Sequence, residues 1–153
     1  MSENSTPLLS VRNLSVAFHQ GGNTSTAVDG ISFDIRKGEV LALVGESGSG
    51  KSVSANSILK LLPYPDASHP SGEILFKGKD MLKASDNELR AVRGNDITMI
   101  FQEPMTSLNP LHTIEQQIRE ILLLHQGLAG EVARTRIVEL LGHVGIPDPA
   151  GRL

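Results

Sequence analysis

The chain has 153 residues, of which 39% are hydrophobic, and its formal net charge is −3. That length suits one domain, and the apolar fraction is high enough for a core, which excludes wholesale disorder. The slight acidity argues against a dedicated nucleic-acid binder, so no nucleic-acid partner is expected. Cysteine is absent, which excludes disulfides and thiolate metal sites. With no signal-peptide pattern and no apolar stretch near the roughly 18 residues of a membrane span, we expect a soluble cytoplasmic protein.

The first third of the chain predicts strands. Apolar residues alternate over residues 8–18 and again over 27–35, which is typical of half-buried strands. A hairpin turn is expected at residues 36–39. The continuous apolar run at residues 40–44 favours a strand buried on both faces, as in a parallel sheet.

The rest of the chain becomes progressively helical. We expect a helix from about residue 53 that Pro63 and Pro65 end, and a loop at residues 66–72. Short strands are predicted at residues 73–76 and 96–101, with a helix between them that Asp86 caps and Gly94 ends.

Two further helices are predicted near the end of the sequence. The first begins at a capping box formed by Thr113 and Gln116 and continues to about His125. The second covers residues 131–143, with Val132 and Ile137 on its apolar face together with Leu140 and Leu141.

Residues 45–52 match the pattern G-x-x-x-x-G-K-S at every fixed position. Glycines allow backbone N–H groups to wrap a polyphosphate, and the helix that follows directs its positive dipole end at the same group. Lys51 supplies a cation to the β and γ phosphates, and Ser52 a hydroxyl to Mg²⁺. The predicted nucleotide-binding residues here are Gly45, Glu46, Ser47, Gly48, Ser49, Gly50, Lys51 and Ser52.

The loop has two other interpretations. A Gly/Ser-rich loop can match by chance, but a buried-type strand before it and a helix after it argue against that. The glycine order is wrong for a dinucleotide fingerprint, so a Rossmann site is the weaker alternative. Glu46 is expected to face solvent, Glu103 is not expected to be catalytic, and the five scattered histidines predict no transition-metal site.

The flanking segments add a resemblance. Residues 14–18, 28–33 and 37–52 resemble the start of an ABC transporter ATPase subunit, and residues 71–80 resemble the hairpin region that follows it. The segment Met99-Ile100-Phe101-Gln102-Glu103-Pro104-Met105-Thr106-Ser107-Leu108-Asn109-Pro110 resembles the Q-loop of that family. Its form is similar to the dipeptide/oligopeptide/nickel importer branch, with the closest likeness to ATPases of microcin C-type peptide importers.

The resemblance implies an α/β fold. Its parts would be a P-loop NTPase (RecA-like) core, an antiparallel β-subdomain and an α-helical subdomain, incomplete at the C-terminus. Residues 1–110 would form the N-terminal β-subdomain and partial P-loop core, and residues 111–153 the start of the helical subdomain.

The resemblance also implies roles for two residues outside the loop. Phe18 would stack on adenine. The alternative is that its side chain simply packs in the protein core near the end of a strand. Gln102 would bind ATP and, with Ser52, form the metal site for Mg²⁺. The cofactors are therefore ATP and Mg²⁺.

Partners are implied in the same way. They are the ABC permease membrane subunits, a second ATPase domain in a head-to-tail dimer and, indirectly, a periplasmic peptide-binding protein. Met105, Leu108 and Leu111 could contact the permease or pack within the helical subdomain. The protein would then lie on the inner face of the plasma membrane, as a peripheral cytoplasmic subunit.

Motifs for hydrolysis are missing. No apolar run followed by Asp-Glu, no Leu-Ser-Gly-Gly-type signature and no Thr-His switch occurs in the sequence. We therefore expect no catalytic residue within this chain, which resembles the N-terminal half of a larger domain. Alone it is expected to be poorly soluble and unable to hydrolyse ATP. The alternatives are another P-loop NTPase, such as a kinase or GTPase, and a nucleotide-binding fragment that works without hydrolysis.

Overall fold

The computed structural model describes residues 6–101 and 107–153. These residues form two compact units that divide between residues 91 and 92. The first unit contains an antiparallel sheet and two helices, and the second contains two longer helices and a 3₁₀ helix. No helix in the described ranges has both the length and the apolar character needed to cross a membrane.

The sheet of the first unit has four strands in the order β2-β1-β3-β4, and each neighbouring pair is antiparallel. Their bounds are Leu9–Gln20 for β1, Asn23–Ile35 for β2, Ala67–Phe76 for β3 and Lys79–Asp80 for β4. The central strand β1 carries the core, because Val11, Leu14 and Val16 are fully buried. The strands predicted at residues 8–18, 27–35 and 73–76 are confirmed.

The loop predicted at residues 66–72 is wrong, because most of that segment is the first half of β3. Ser68 pairs with Ala17 and Ser71 pairs with Ser15 across the β1–β3 ladder. The polar composition of the segment suggests a loop, but pairing with the buried strand β1 overrides this local preference.

A β-bulge interrupts the hairpin of β1 and β2. Val16 pairs with Val28 but Ala17 pairs with Thr26, so Ala27 is an extra residue on β2. An extra residue of this kind bends its strand and redirects its backbone groups. Ala27 becomes important at the functional site described below.

Two predicted strands are wrong. Residues 40–44 and 96–101 form no strand, and Val40 and Ile100 are 94% and 98% exposed. A strand buried on both faces needs a parallel neighbour on each side. Within residues 6–101 and 107–153 the only parallel pairing is an isolated bridge between Arg93 and Ile97. The turn expected at residues 36–39 is present, with reciprocal hydrogen bonds between Arg36 and Glu39.

Two short helices complete the first unit. Helix α1 is Lys51–Ile58 and helix α2 is Asp86–Val92. Helix α1 ends several residues before Pro63, so that proline does not end it. At α2 the carbonyl of Ser85 accepts a hydrogen bond from the amide of Leu89, so Ser85, rather than the predicted Asp86, occupies the N-cap position. Hydrogen bonds from Lys79 and Ser85 lower the pKa of Glu88 to about 2.

The second unit is a helical pair. Helix α3 is Ile114–Gln126 and helix α4 is Gly130–His143, followed by the 3₁₀ helix Pro149–Arg152. The capping box of Thr113 and Gln116 is confirmed. The buried core consists of Leu122, Ala133, Ile137 and Leu141. Val132 is 64% exposed, so its predicted place on the apolar face of α4 is wrong; the buried positions follow the i, i+4 spacing from Ala133 instead.

Candidate functional site

The Gly-rich loop at residues 45–50 lies directly before α1. Gly48 and Gly50 have φ angles of +82° and +86°, in the left-handed region that side chains disfavour. A Cβ atom on Gly45 would lie 2.6 Å from the hydroxyl of Ser49. The dihedral angles therefore favour glycine at positions 48 and 50, whereas a side chain at position 45 would displace the hydroxyl of Ser49.

Gly50 lies against the β-bulge of the sheet. A Cβ atom on Gly50 would lie 2.5 Å from the carbonyl oxygen of Ala27 and 3.0 Å from Cγ2 of Val28. The bulge thus supports the point where the loop enters α1. This contact links the sheet directly to the first turn of the helix.

The side chain of Lys51 lies across the loop. Its ammonium donates to the carbonyl of Gly45 at 2.8 Å, to the carbonyl of Glu46 at 2.7 Å and to the hydroxyl of Ser49 at 3.2 Å. Three oxygen atoms of the loop therefore hold one cation at its centre. This cation lies at the N-terminus of α1, where the helix dipole adds positive potential.

The first turn of α1 carries no acidic residue. Its backbone N–H groups and Lys51 therefore act together to attract an anion, as helix N-termini do in phosphate sites. Ser52 is exposed on this turn. The arrangement fits a polyphosphate with an associated cation at the hydroxyl of Ser52.

Two cavities adjoin the loop. One has a volume of about 360 Å³ and the other about 140 Å³, and both are lined by Ala27, Ser49 and Lys51. The larger cavity also contacts Asp29 and Ile31 of β2. The motif does not predict the β2 residues. They reach the site through strand pairing, for which the local spacing carries no signal.

Phe18, the predicted adenine-stacking residue, lies outside the loop but on the same sheet as Ala27 and Val28. Phe18 lies on β1, is half-buried, and pairs with Ser25 and Ala67. It is two residues, roughly 7 Å along the strand, from Val16, whose partner Val28 lies against Gly50. Phe18 and the loop therefore share one region of the sheet.

Two of the candidates, Gln102 and Met105, lie outside the described residues, as does Glu103, which is not expected to be catalytic. Leu108 and Leu111 lie in the second unit and are 53% and 88% exposed. Their side chains are accessible there.

Comparison with known proteins identifies the family. The sequence profile of the ABC transporter family matches residues 28–153, which is most of the chain. The chain belongs to the ABC transporter family. The resemblance at the loop and its flanks is thereby confirmed, and the kinase and GTPase alternatives are excluded.

Two curated relatives of this chain have names that refer to transport, one of peptidoglycan and one of dipeptides. It is 75% identical over 150 residues to the "Peptidoglycan transport ATP-binding protein YejF" of Agrobacterium fabrum, covering 98% of this chain and 28% of the relative. It is 52% identical over 146 residues to the "Dipeptide transport ATP-binding protein DppD" of Bacillus subtilis, covering 95% of this chain and 44% of the relative. The chain thus spans less than half the length of either relative.

A solved ATP-binding cassette supports the predicted fold class. The dimeric post-hydrolysis structure of MJ0796, bound to ADP and Pi, has a TM-score of 0.74 and 26% identity to this ABC family chain. The match covers 88% of this chain and 56% of that one. The predicted α/β class, a partial P-loop NTPase core with an antiparallel sheet and helices, is confirmed.

Proposed function

We propose that this chain is the ATP-binding part of an ABC ATPase subunit that serves peptide import. The observation that carries the proposal is the ammonium of Lys51, held by three loop oxygens at the N-terminus of α1. A triphosphate offers stronger acceptors than these neutral oxygens, since hydrogen bonds to charged groups are about twice as strong. The loop therefore presents a cation that a phosphate can recruit.

The site residues take separate roles in this proposal. Lys51 and the backbone N–H groups of residues 45–52 bind the phosphates, and the half-buried face of Phe18 supports the adenine. The hydroxyl of Ser52 and the side chain of Gln102 are the proposed Mg²⁺ ligands. When bound, Mg²⁺ neutralises part of the phosphate charge.

Hydrolysis belongs to the larger assembly. A general base that activates water is needed for turnover, and the motifs that supply it in this family are missing from the sequence. We therefore propose that the chain binds ATP but does not turn it over alone. Residues 1–110 and 111–153 are our proposed division into the partial core and the start of the helical subdomain.

The proposed partners rest on membership of the ABC transporter family and on the dimeric cassette MJ0796. They are a membrane permease, a second ATPase domain that completes the site head to tail and, indirectly, a periplasmic peptide-binding protein. We propose the inner face of the plasma membrane as the location of the subunit. The transported substrate would be a peptide, delivered through the other components.

The proposal is tested by ATP binding to the purified chain, carried on a soluble fusion partner. Lys51→Ala should weaken binding roughly tenfold or more, with or without Mg²⁺. Ser52→Ala should weaken it only when Mg²⁺ is present, because its hydroxyl acts through the metal. Isothermal titration with ATP, in Mg²⁺ and in EDTA, separates these two patterns.

Lys37→Ala is the matched control, because Lys37 is an exposed lysine in the turn after β2 of the same unit. It should bind ATP as the unmodified chain does. Equal losses for Lys37→Ala and Lys51→Ala would mean that general charge, rather than the loop, attracts the nucleotide. That result would overturn the proposal.

A further inference from the structure

Helix α1 contains two buried serines with the same local geometry. Ser54 is 3% exposed and Ser57 is fully buried. Each hydroxyl donates to the carbonyl four residues earlier at 2.8 Å, Ser54 to Gly50 and Ser57 to Val53. A hydrogen bond of this kind slightly destabilises a helix. Two of them in an eight-residue helix therefore suggest that at least one serves a purpose other than stability. The two differ in one respect, since only the acceptor of Ser54 belongs to the phosphate loop.

The carbonyl of Gly50 accepts two hydrogen bonds from a single residue. The backbone N–H and the hydroxyl of Ser54 both lie 2.8 Å from it. Because a trans peptide is planar, the carbonyl of Gly50 and the N–H of Lys51 point in opposite directions. Fixing the carbonyl therefore fixes the direction of the Lys51 N–H, which points out of the N-terminus of the helix.

The same peptide is held from its other side. Gly50 lies against the carbonyl of Ala27 and the side chain of Val28. Ser54 lines the 360 Å³ cavity together with these two residues and Lys51. The Gly50–Lys51 peptide is thus confined between the sheet bulge and the hydroxyl of Ser54. A second donor on its carbonyl also polarises the peptide, which makes the Lys51 N–H a stronger donor.

We propose that Ser54 is a positioning residue for nucleotide binding, which orients the first backbone donor of α1 toward the phosphate. The inference rests on the proposed function of the loop. Ser54 touches no phosphate itself; it acts through the Gly50 carbonyl. Its chemical counterpart Ser57 holds a carbonyl inside the helix and has no such role.

The test compares three variants of the full chain on the same fusion partner. Ser54→Ala should weaken ATP binding roughly three- to tenfold, the effect of losing one hydrogen bond's worth of free energy. The loss should be the same in Mg²⁺ and in EDTA, unlike that of Ser52→Ala. Ser54→Thr keeps the hydroxyl and should restore binding. Ser57→Ala removes the same kind of side-chain bond and should leave ATP affinity unchanged.

A second readout needs no nucleotide. The backbone amide resonance of Lys51, measured by NMR, should shift in Ser54→Ala and remain in place in Ser57→Ala. Unchanged affinity in Ser54→Ala, an equal affinity loss in Ser57→Ala, or an unmoved Lys51 amide would each overturn the inference. Failure of the unmodified chain to bind ATP would instead count against the proposed function, and the amide shift would still decide the role of Ser54.

Discussion

Gly50 combines two constraints on one residue. Its φ of +86° excludes most side chains, and the carbonyl of Ala27 fills the space that a Cβ atom would need. Gly78, in the turn between β3 and β4, has a similar φ of +81° but open space around it. The two glycines therefore separate the cost of the dihedral angle from the cost of a steric clash.

We expect Gly50→Ala to destabilise the first unit more than Gly78→Ala. The left-handed conformation costs alanine about 1–2 kcal/mol at either position. At Gly50 the clash with Ala27 adds about 1–3 kcal/mol, as overpacking does in cores. Urea denaturation of both variants measures the difference, and equal midpoints would show that the bulge yields to a methyl group.

Residues of the loop could be predicted from the sequence, because the phosphate motif is local. Lys51 and the glycines occupy the positions that the spacing predicts. Ala27 could not be predicted, because its role depends on which residue of β2 is left over when β1 and β2 pair. That register involves the pairing of Val16 with Val28, and the local sequence at Ala27 carries no signal of it.

At the scale of elements, the helical pair of the second unit depends on a narrow core. Ile137 is fully buried between α3 and α4, whereas Val132 on the same helix is 64% exposed. Both are β-branched, and both become alanine by losing only apolar atoms. They form a matched pair for testing which face of α4 holds the helices together.

Ile137→Ala should destabilise the helical unit by about 2–4 kcal/mol, through lost burial and the cavity left behind. Val132→Ala should change its stability by no more than about 0.5 kcal/mol, as exposed substitutions usually do. Guanidinium denaturation followed by far-ultraviolet circular dichroism measures both. A larger loss at Val132 would mean that the helices pack through the opposite face.

Elements with local signals were the predictable ones. The capping box of Thr113 and Gln116 needs only four consecutive residues, and the structure contains it as the sequence predicts. The first half of β3 has no such signal, because Ser68 and Ser71 become strand residues only by pairing with β1. Alternation in residues 8–18 was informative because its apolar positions Val11, Leu14 and Val16 are fully buried.

The whole chain carries apolar surface that its own described residues leave uncovered. In the run at residues 40–44, Val40 and Val44 are 94% and 93% exposed. The apolar composition predicted a buried strand, and that prediction is wrong, because the run forms no strand and both of its ends are exposed.

Val40→Lys should therefore improve solubility without lowering stability. A charge at a 94% exposed position removes no buried apolar surface. It also interrupts an apolar segment that favours aggregation. Light scattering and binding of a hydrophobic dye should both decrease, with an unchanged denaturation midpoint. Val11→Lys is the contrasting variant, since Val11 is fully buried and should unfold the sheet. A loss of stability in Val40→Lys would show that residue 40 has a packing role.

Because of the bulge at Ala27, the β1–β2 hairpin should tolerate changes in chain length at its turn but not at the bulge itself. Beyond the bulge, the turn at Gly21 and Gly22 is exposed and open, so residues can be inserted there without moving the ladder below. Deleting the single residue Ala27 would remove this bulge, so that Thr26 and Val28 would become neighbours opposite Ala17 and Val16, and the carbonyl that lies against Gly50 would be lost. In-frame insertions should thus be tolerated at the tip of this hairpin, whereas the loss of one codon at position 27 would remove the support under the phosphate loop.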